Sequence, residues 1–378
     1  MTTGTQAVFL VGAGFIRIGP EFGIGPLGLG LLTAAFFLTA SLSSPLMGRW
    51  VQRVGWQHAM RLDFRAVAVV LAVVPILAHD AVTLGLMMMV GAVLYGSANP
   101  AANQALADNT DQGRQATIFG AKHAGIPMST LLAGLAVPLV IERFGWRWSF
   151  VIAAAVAAGL SLLVPSEVPE PQAAVGMVTV RGPKVKATRR DLVLLAAGSS
   201  FATWAAAALG TYLVTATVDL GFTASQAGIL QFVGSGTSIL ARITAGAVTD
   251  RRRGAGFAGV AAMTAAGAVV FVSVSVSSGA AYLLLVVAAF ATGWGWPGLM
   301  TFSVVNASRD SVARSSSITQ AGVLVGAGAG PILLGAVIEH WSFQGLWLVV
   351  AAGLVVAAVV VGAVGARVTS RRDAPDPG

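Results

Sequence analysis

Apolar runs of about 20 residues, broken by short polar stretches, follow one another along nearly the whole chain. A helix needs about 20 apolar residues to cross a bilayer. On that criterion the pattern predicts twelve spans, near 5–16 (short), 27–48, 62–78, 82–106, 117–141, 148–165, 192–214, 225–247, 256–277, 280–305, 316–338 and 345–365. Gly and Ala are abundant inside them, which permits close helix packing. Single prolines within the runs, such as Pro100, Pro127, Pro138, Pro297 and Pro331, are tolerable kinks in a bundle.

The pattern then returns on itself. Glu21-Phe22-Gly23-Ile24, Gly30-Leu31-Leu32, Gly48 and Arg53 recur as Asp219-Leu220-Gly221-Phe222, Gly228-Ile229-Leu230, Gly246 and Arg251, all shifted by 198. Val140-Ile141-Glu142 returns as Val337-Ile338-Glu339 and Pro100 as Pro297, shifted by 197. Two parallel halves of apolar spans imply a two-bundle membrane transporter. The expected organisation is an N-terminal six-helix bundle (1–165), a linker (166–190), a C-terminal six-helix bundle (191–365) and a tail (366–378). The same shift carries Leu192–Val214 onto positions −6 to 16 and matches Trp204 with Gln6. The first helix is therefore expected to lack its cytoplasmic start. About 12 residues would rise only about 18 Å.

Composition sharpens this picture. Hydrophobic residues make up 56% of the chain and charged residues 10%, against about 25% charged in a soluble protein. The net charge of +8 does not point to nucleic acid, because the charges fall mostly in short loops. Placing the N-terminus inside leaves Arg17, Arg143 and Arg147 outside and the other twenty basic residues in or near cytoplasmic segments, a strong positive-inside bias. Five of these, from Arg181 to Arg190, lie in the linker and fit contact with anionic headgroups or topology alone. The chain has no cysteine, which excludes disulfides and thiolate sites.

Between the second and third spans the sequence reads Gly48-Arg49-Trp50-Val51-Gln52-Arg53-Val54-Gly55-Trp56-Gln57, and between the eighth and ninth Gly246-Ala247-Val248-Thr249-Asp250-Arg251-Arg252-Arg253. With twelve spans and the internal repeat, these loops resemble the G-x-L-x-D-R-x-G-R-R signature of the major facilitator superfamily over nearly the whole chain. The first copy has Gln52 in place of the Asp, and Trp56 and Gln57 in place of the closing Arg pair. The second copy keeps Asp250. The resemblance implies an all-α membrane protein of two pseudo-symmetric six-helix bundles that works by alternating access. It makes Gly48, Arg53, Gly246, Asp250 and Arg251 a conformational motif. Gly allows close approach, and the carboxylate suits a neighbouring helix N-terminus. It also implies that helices one, four, seven and ten line the cavity, flanked by two, five, eight and eleven.

Polar groups in those spans are the candidate substrate ligands, because intramembrane polar residues usually face the bundle interior. Tyr95, Asn99 and Asn103 form one stripe on helix four. The repeat matches them with Thr292, Trp296 and Met300, which sets Asn99 opposite Trp296. The stripe serves equally well as hydrogen-bonding glue between helices. Lys122 is the one Lys inside a span and has no acidic partner in reach, which marks it as an anchor for an anionic substrate or as a snorkelling side chain. His123 is a candidate proton carrier or a packed helix residue. Gln320 and Trp204 complete the candidates, each with bundle packing as its alternative. Trp56, Trp146, Trp148, Trp341 and Trp347 sit at span ends and read as interfacial belt residues.

No phosphate loop, metal-ligand cluster or Ser-His-Asp arrangement is present in the sequence, so no enzyme activity and no cofactor are expected. The reading is a monomeric, multi-pass transporter of the cytoplasmic membrane that moves a small organic solute, an anion by the charge of Lys122 and Arg17. Its partners are that solute and the lipid bilayer, not nucleic acid. Efflux of apolar drugs and a non-transporting sensor of the same fold are the alternatives.

Both termini and the 166–190 linker are expected on the cytoplasmic side. A cysteine placed at Ala173 of this Cys-free chain should resist an impermeant thiol reagent on intact cells and react after permeabilisation. Labelling of intact cells would invert the topology.

Overall fold

The computed structural model describes residues 1–109, 114–165, 187–252, 256–308 and 312–373. Among these the regular structure is helical, in twelve long segments. The N-terminal set is α1 (Thr2–Phe22), α2 (Pro26–Val54), α3 (Trp56–Leu77), α4 (Ala81–Leu106), α5 (Gln115–Phe144) and α6 (Trp146–Leu163). The C-terminal set is α7 (Arg189–Asp219), α8 (Ala224–Arg252), α9 (Phe257–Ser275), α10 (Gly279–Ala307), α11 (Val312–His340) and α12 (Phe343–Asp373). Nine of them are long and apolar enough to cross a membrane. The other three, α1, α3 and α8, carry more polar residues, such as Arg61, Asp63 and Arg65 on α3. Apolar side chains such as Leu42, Leu162 and Val276 face outward, as a surface bathed in lipid requires. The end where α6 finishes and α7 begins is called the linker end below, and the opposite end the far end.

Local sequence explains where the helices start and stop. Gly25 is extended and precedes Pro26 at the first helical position of α2, where the missing proline N–H costs nothing. Asp80 and Thr83 form a capping box at the start of α4, and Thr188 and Asp191 form one at the start of α7. Each satisfies two N–H groups that a helix start leaves bare. α1 ends on Gly23 at φ 64°, a left-handed cap that glycine adopts without strain. Within α5 the backbone widens to a π turn at Val137–Ile141, which contains Pro138, and α7 does so at Ala208–Tyr212.

Several boundaries differ from those read in the sequence. The first helix has 21 residues rather than about 12, which corresponds to about 31 Å of rise. It runs on through Arg17 to Pro20 and Glu21, where the falling hydropathy had suggested an end. α12 continues to Asp373, so most of the expected tail is helical. There Arg371 pairs with Asp191 at 2.6 Å and ties this helix end to the start of α7. Most of the linker, residues 166–186, lies outside the described residues. Trp146 and Trp347, expected in the lipid belt, are buried. Trp146 donates to Glu21 at 2.7 Å, and Trp347 stacks on Phe271. Trp148 and Trp341 are exposed as a belt requires.

The two sets meet closely toward the far end, at two crossings related by the repeat. On α2, a Cβ at Gly30 would lie 2.3 Å from the Pro331 carbonyl oxygen of α11. On α8, a Cβ at Gly228 would lie 2.6 Å from the Gly134 carbonyl oxygen of α5. Gly30 and Gly228 are 198 apart, and Gly134 and Pro331 are 197 apart. At both crossings backbone meets backbone, so no side chain can be fitted without parting the helices.

Gly228→Val should therefore destabilise this packed arrangement by about 1–3 kcal/mol. The purified variant should show a lower Tm. An unchanged Tm would mean that the crossing is looser than the structure shows.

Candidate functional site

Two helices are interrupted at matching positions. α4 breaks at 96–97, after Ala81–Tyr95 and before the segment that starts at Ala98, and α10 breaks at 293–296, between Gly279–Thr292 and Pro297–Ala307. Pro297 starts the second segment of α10, and its counterpart Pro100 lies in the second segment of α4. Proline removes one ladder hydrogen bond and its ring clashes with the preceding turn. Non-helical backbone at membrane depth is tolerated where it lines a cavity. Here it does: Gly96, Asn99, Trp294 and Trp296 border a cavity of about 130 Å³.

Three pairs related by the repeat form the polar and aromatic ring of this cavity. They are Ser44 with Arg242, Asn99 with Trp296, and His123 with Gln320, separated by 198, 197 and 197 residues. Each pair draws on α2 and α8, α4 and α10, or α5 and α11, at the same depth in the two halves. The ring lies nearer the linker end, while the far-end crossings above it are packed shut. Phe9, Phe37 and Trp294 add apolar wall.

Arg242 was not among the residues singled out in the sequence, where it passed for a basic residue near the end of a span. The structure places it on α8 at 2% exposure. Its guanidinium donates to the His123 carbonyl at 2.5 Å and to the Trp294 carbonyl at 2.5 Å, and lies 5.6 Å from the Trp294 ring centre. The signal that could have found it was the repeat itself: Arg242 is the counterpart of Ser44, so its charge is not part of the shared scaffold. Two carbonyl acceptors satisfy donors but leave the net charge in place. No salt bridge reaches Arg242 among the described residues. A buried unpaired charge costs several kcal/mol.

The other expected residues divide. Tyr95, Asn99, Trp296 and Gln320 line the cavity, and Tyr95 packs against Phe36 with ring centres 5.8 Å apart. Lys122 and Asn103 do not border it; the Lys122 ammonium donates to the Asn103 amide oxygen at 2.5 Å and ties α5 to α4. Trp204 also lies away from the cavity, packed edge-on to Phe201 and against Gly330 and Gly353. His123 lines the cavity, and its Nε2 lies 3.0 Å from the Thr301 hydroxyl of α10, across the two halves. Arg17 is exposed. Asp63, read as sitting at a span end, is 7% exposed on α3, because that helix starts at Trp56.

The loop motif is asymmetric in structure as in sequence. Asp250 accepts from the backbone N–H of Ala116 and of Thr117, both at 2.9 Å, and from the Thr117 hydroxyl at 2.7 Å. It thus caps the start of α5 from the other half of the molecule, where the helix dipole favours negative charge. Gly246 lies one turn away, and a Cβ there would be 2.5 Å from the Ala116 carbonyl oxygen. Gln52, at the matching position, is exposed, as are Arg53 and Arg251. Gly48 packs against Pro100 of its own half. The far end carries a symmetric counterpart. Glu339 of α11 accepts from the Leu27 N–H of α2 at 3.0 Å, and Glu142 of α5 accepts from Ser225 of α8. Leu27 and Ser225 are again 198 apart.

Two six-helix sets that meet around a cavity at broken helices define a secondary membrane transporter. A sequence profile described as Major Facilitator Superfamily matches residues 3–320 and 195–377. The chain belongs to that superfamily. Among solved structures, a bacterial homologue of the human lysosomal transporter Spinster in an inward-facing and unoccupied conformation superposes with TM-score 0.71. It is 17% identical, over 99% of this chain and 96% of that one. The same description in an inward-facing and occupied conformation gives TM-score 0.68 and 16% identity, over 100% and 96%. A search of curated proteins finds no match.

Asp250→Ala should leave three donors of α5 without their acceptor and lower stability by about 1–2 kcal/mol. Asp250→Asn, with one acceptor oxygen, should fall between. Thermal unfolding of the three purified proteins checks the order, and equal Tm values would remove Asp250 as a cap.

Proposed function

We propose that the chain carries a small organic anion across the cytoplasmic membrane, with Arg242 as the charge anchor. The observation that carries this reading is a buried guanidinium on the cavity wall without a carboxylate partner among the described residues. Asn99, Gln320, Trp296 and Tyr95 supply the remaining contacts. Lys122 stands behind the wall and adds positive potential rather than a direct contact. The acting unit is a monomer with both termini cytoplasmic, so the present state faces inward. The conformations named for the two Spinster homologues support that orientation of the cavity.

The mechanism follows from charge and closure. Arg242 is already buried, and closing the linker end would also remove the cavity's water from beside this unpaired charge. A bound anion offsets that cost, so the loaded carrier crosses more readily than the empty one. Opening the far end requires Glu339 and Glu142 to release Leu27 and Ser225, and the two glycine crossings to part. Asp250 then acts as the counterweight at the linker end.

Proteoliposomes containing the purified protein should take up radiolabelled small carboxylates. Arg242→Gln should reduce uptake more than 100-fold, since removing one partner of a buried ion pair costs about 3–5 kcal/mol. Arg242→Lys should keep part of it. Unchanged uptake by Arg242→Gln would overturn the assignment. Flux of neutral apolar dyes alone would favour drug efflux, and binding without flux a sensor.

A further inference from the structure

The residues of the cavity wall carry buried polar atoms without a hydrogen-bond partner among the described residues, and their polarities differ between the halves. On the C-terminal side, Arg242 Nε and Trp296 Nε1 have no acceptor. Arg242 is 2% and Trp296 1% exposed; both residues border the cavity, with these two N–H groups covered just beneath its surface. On the N-terminal side, the buried Asn99 Oδ1 lacks a donor and belongs to a residue on the same wall. Ser199 Oγ of the C-terminal half also stands unpartnered, but a hydroxyl serves either polarity and does not discriminate. A buried donor or acceptor left unmade costs the full desolvation of that group. Evolved sites reject ligands that leave such groups bare far more strongly than ligands that differ only in apolar bulk.

Resting on the anion reading above, we infer that the cargo is a small carboxylate that also carries a hydrogen-bond donor, a hydroxyl or an amide N–H. The carboxylate oxygens take the Arg242 and Trp296 N–H groups of the C-terminal half as those two side chains turn toward the cargo. The donor reaches Asn99 of the N-terminal half. Asn99 and Trp296 are counterparts under the repeat, so they stand on opposing walls and a two-ended ligand spans them. Size fits this class. A cavity of about 130 Å³ has room for several waters and so for a small organic acid. Trp296 and Asn99 become the specificity residues, and Arg242 the group that any anion needs.

The test measures binding rather than flux. Isothermal titration of the detergent-purified full chain would compare propionate with its 2-hydroxy and 3-hydroxy derivatives, which share one carbon skeleton. At least one hydroxy acid should bind about tenfold more tightly than propionate, the worth of one well-placed hydrogen bond. Asn99→Leu should bring that ratio close to 1, and saturable binding of any of the three acids shows the variant to be folded. Trp296→Phe should weaken all three acids by a similar factor. Ratios near 1 in the unmodified protein, with all three bound, would overturn the donor requirement and leave the anion reading intact. Binding of none of the acids would overturn both. A ratio that survives Asn99→Leu would remove Asn99 as the discriminating residue.

Discussion

Backbone amides cannot be left bare in hydrocarbon, and this constraint shapes the rest of the molecule. It makes every span a helix, and it confines irregular backbone to places that protein or cavity surrounds. The breaks in α4 and α10 are those places. Each sits beside a proline and a small-residue stretch, and each presents its ring residue, Asn99 or Trp296, to the centre. The site thus lies where the helical rule is relaxed, and the two relaxations correspond because the halves share one pattern.

Against this shared scaffold the differences carry the specificity. Ser44 and Arg242 occupy equivalent positions, as do Asn99 and Trp296, and His123 and Gln320. One half supplies a hydroxyl, an amide and an imidazole; the other supplies the guanidinium, the indole and an amide. A ring of identical groups would favour no orientation of the cargo. The unequal ring gives it a charged end and a neutral end. Arg242 is held by the backbone carbonyls of His123 and Trp294, one from each half. Its position therefore reports on how closely α5 and α10 approach one another.

The contacts that hold the present state are distributed by the same logic. At the far end, both crossings are closed in equivalent ways, by glycine backbones and by Glu142 and Glu339 at helix starts. Tyr212 reinforces one of them, with its hydroxyl 2.6 Å from the Pro331 carbonyl and 3.2 Å from that of Pro26. At the linker end, the seam of α5 and α8 is fastened by Asp250, whereas Gln52 leaves the α2 side without that carboxylate. Opening by pivoting on the α5–α8 seam costs fewer hydrogen bonds than parting both seams together.

The fold class, the twelve helices and the twofold repeat were legible in the sequence, because a bilayer demands long apolar runs and a duplicated pattern survives subtraction of positions. The repeat also paired Asn99 with Trp296, both of which border the cavity, and the loop motif singled out Asp250 as the retained acid. What the sequence could not decide was depth and direction. Lys122 looked like the charge in the cavity because it stands alone in its span, but the turn of α5 sends it to Asn103 on α4. Arg242 and Asp63 looked peripheral because they lie near the ends of apolar runs. The helices run past those runs, α3 starting at Trp56 and α8 continuing to Arg252, so both residues lie inside the packed protein. Apolar periodicity records which segments lipid accepts. Which polar side chain meets the cavity depends on helix rotation and on how two halves pack, and only the tertiary structure fixes those.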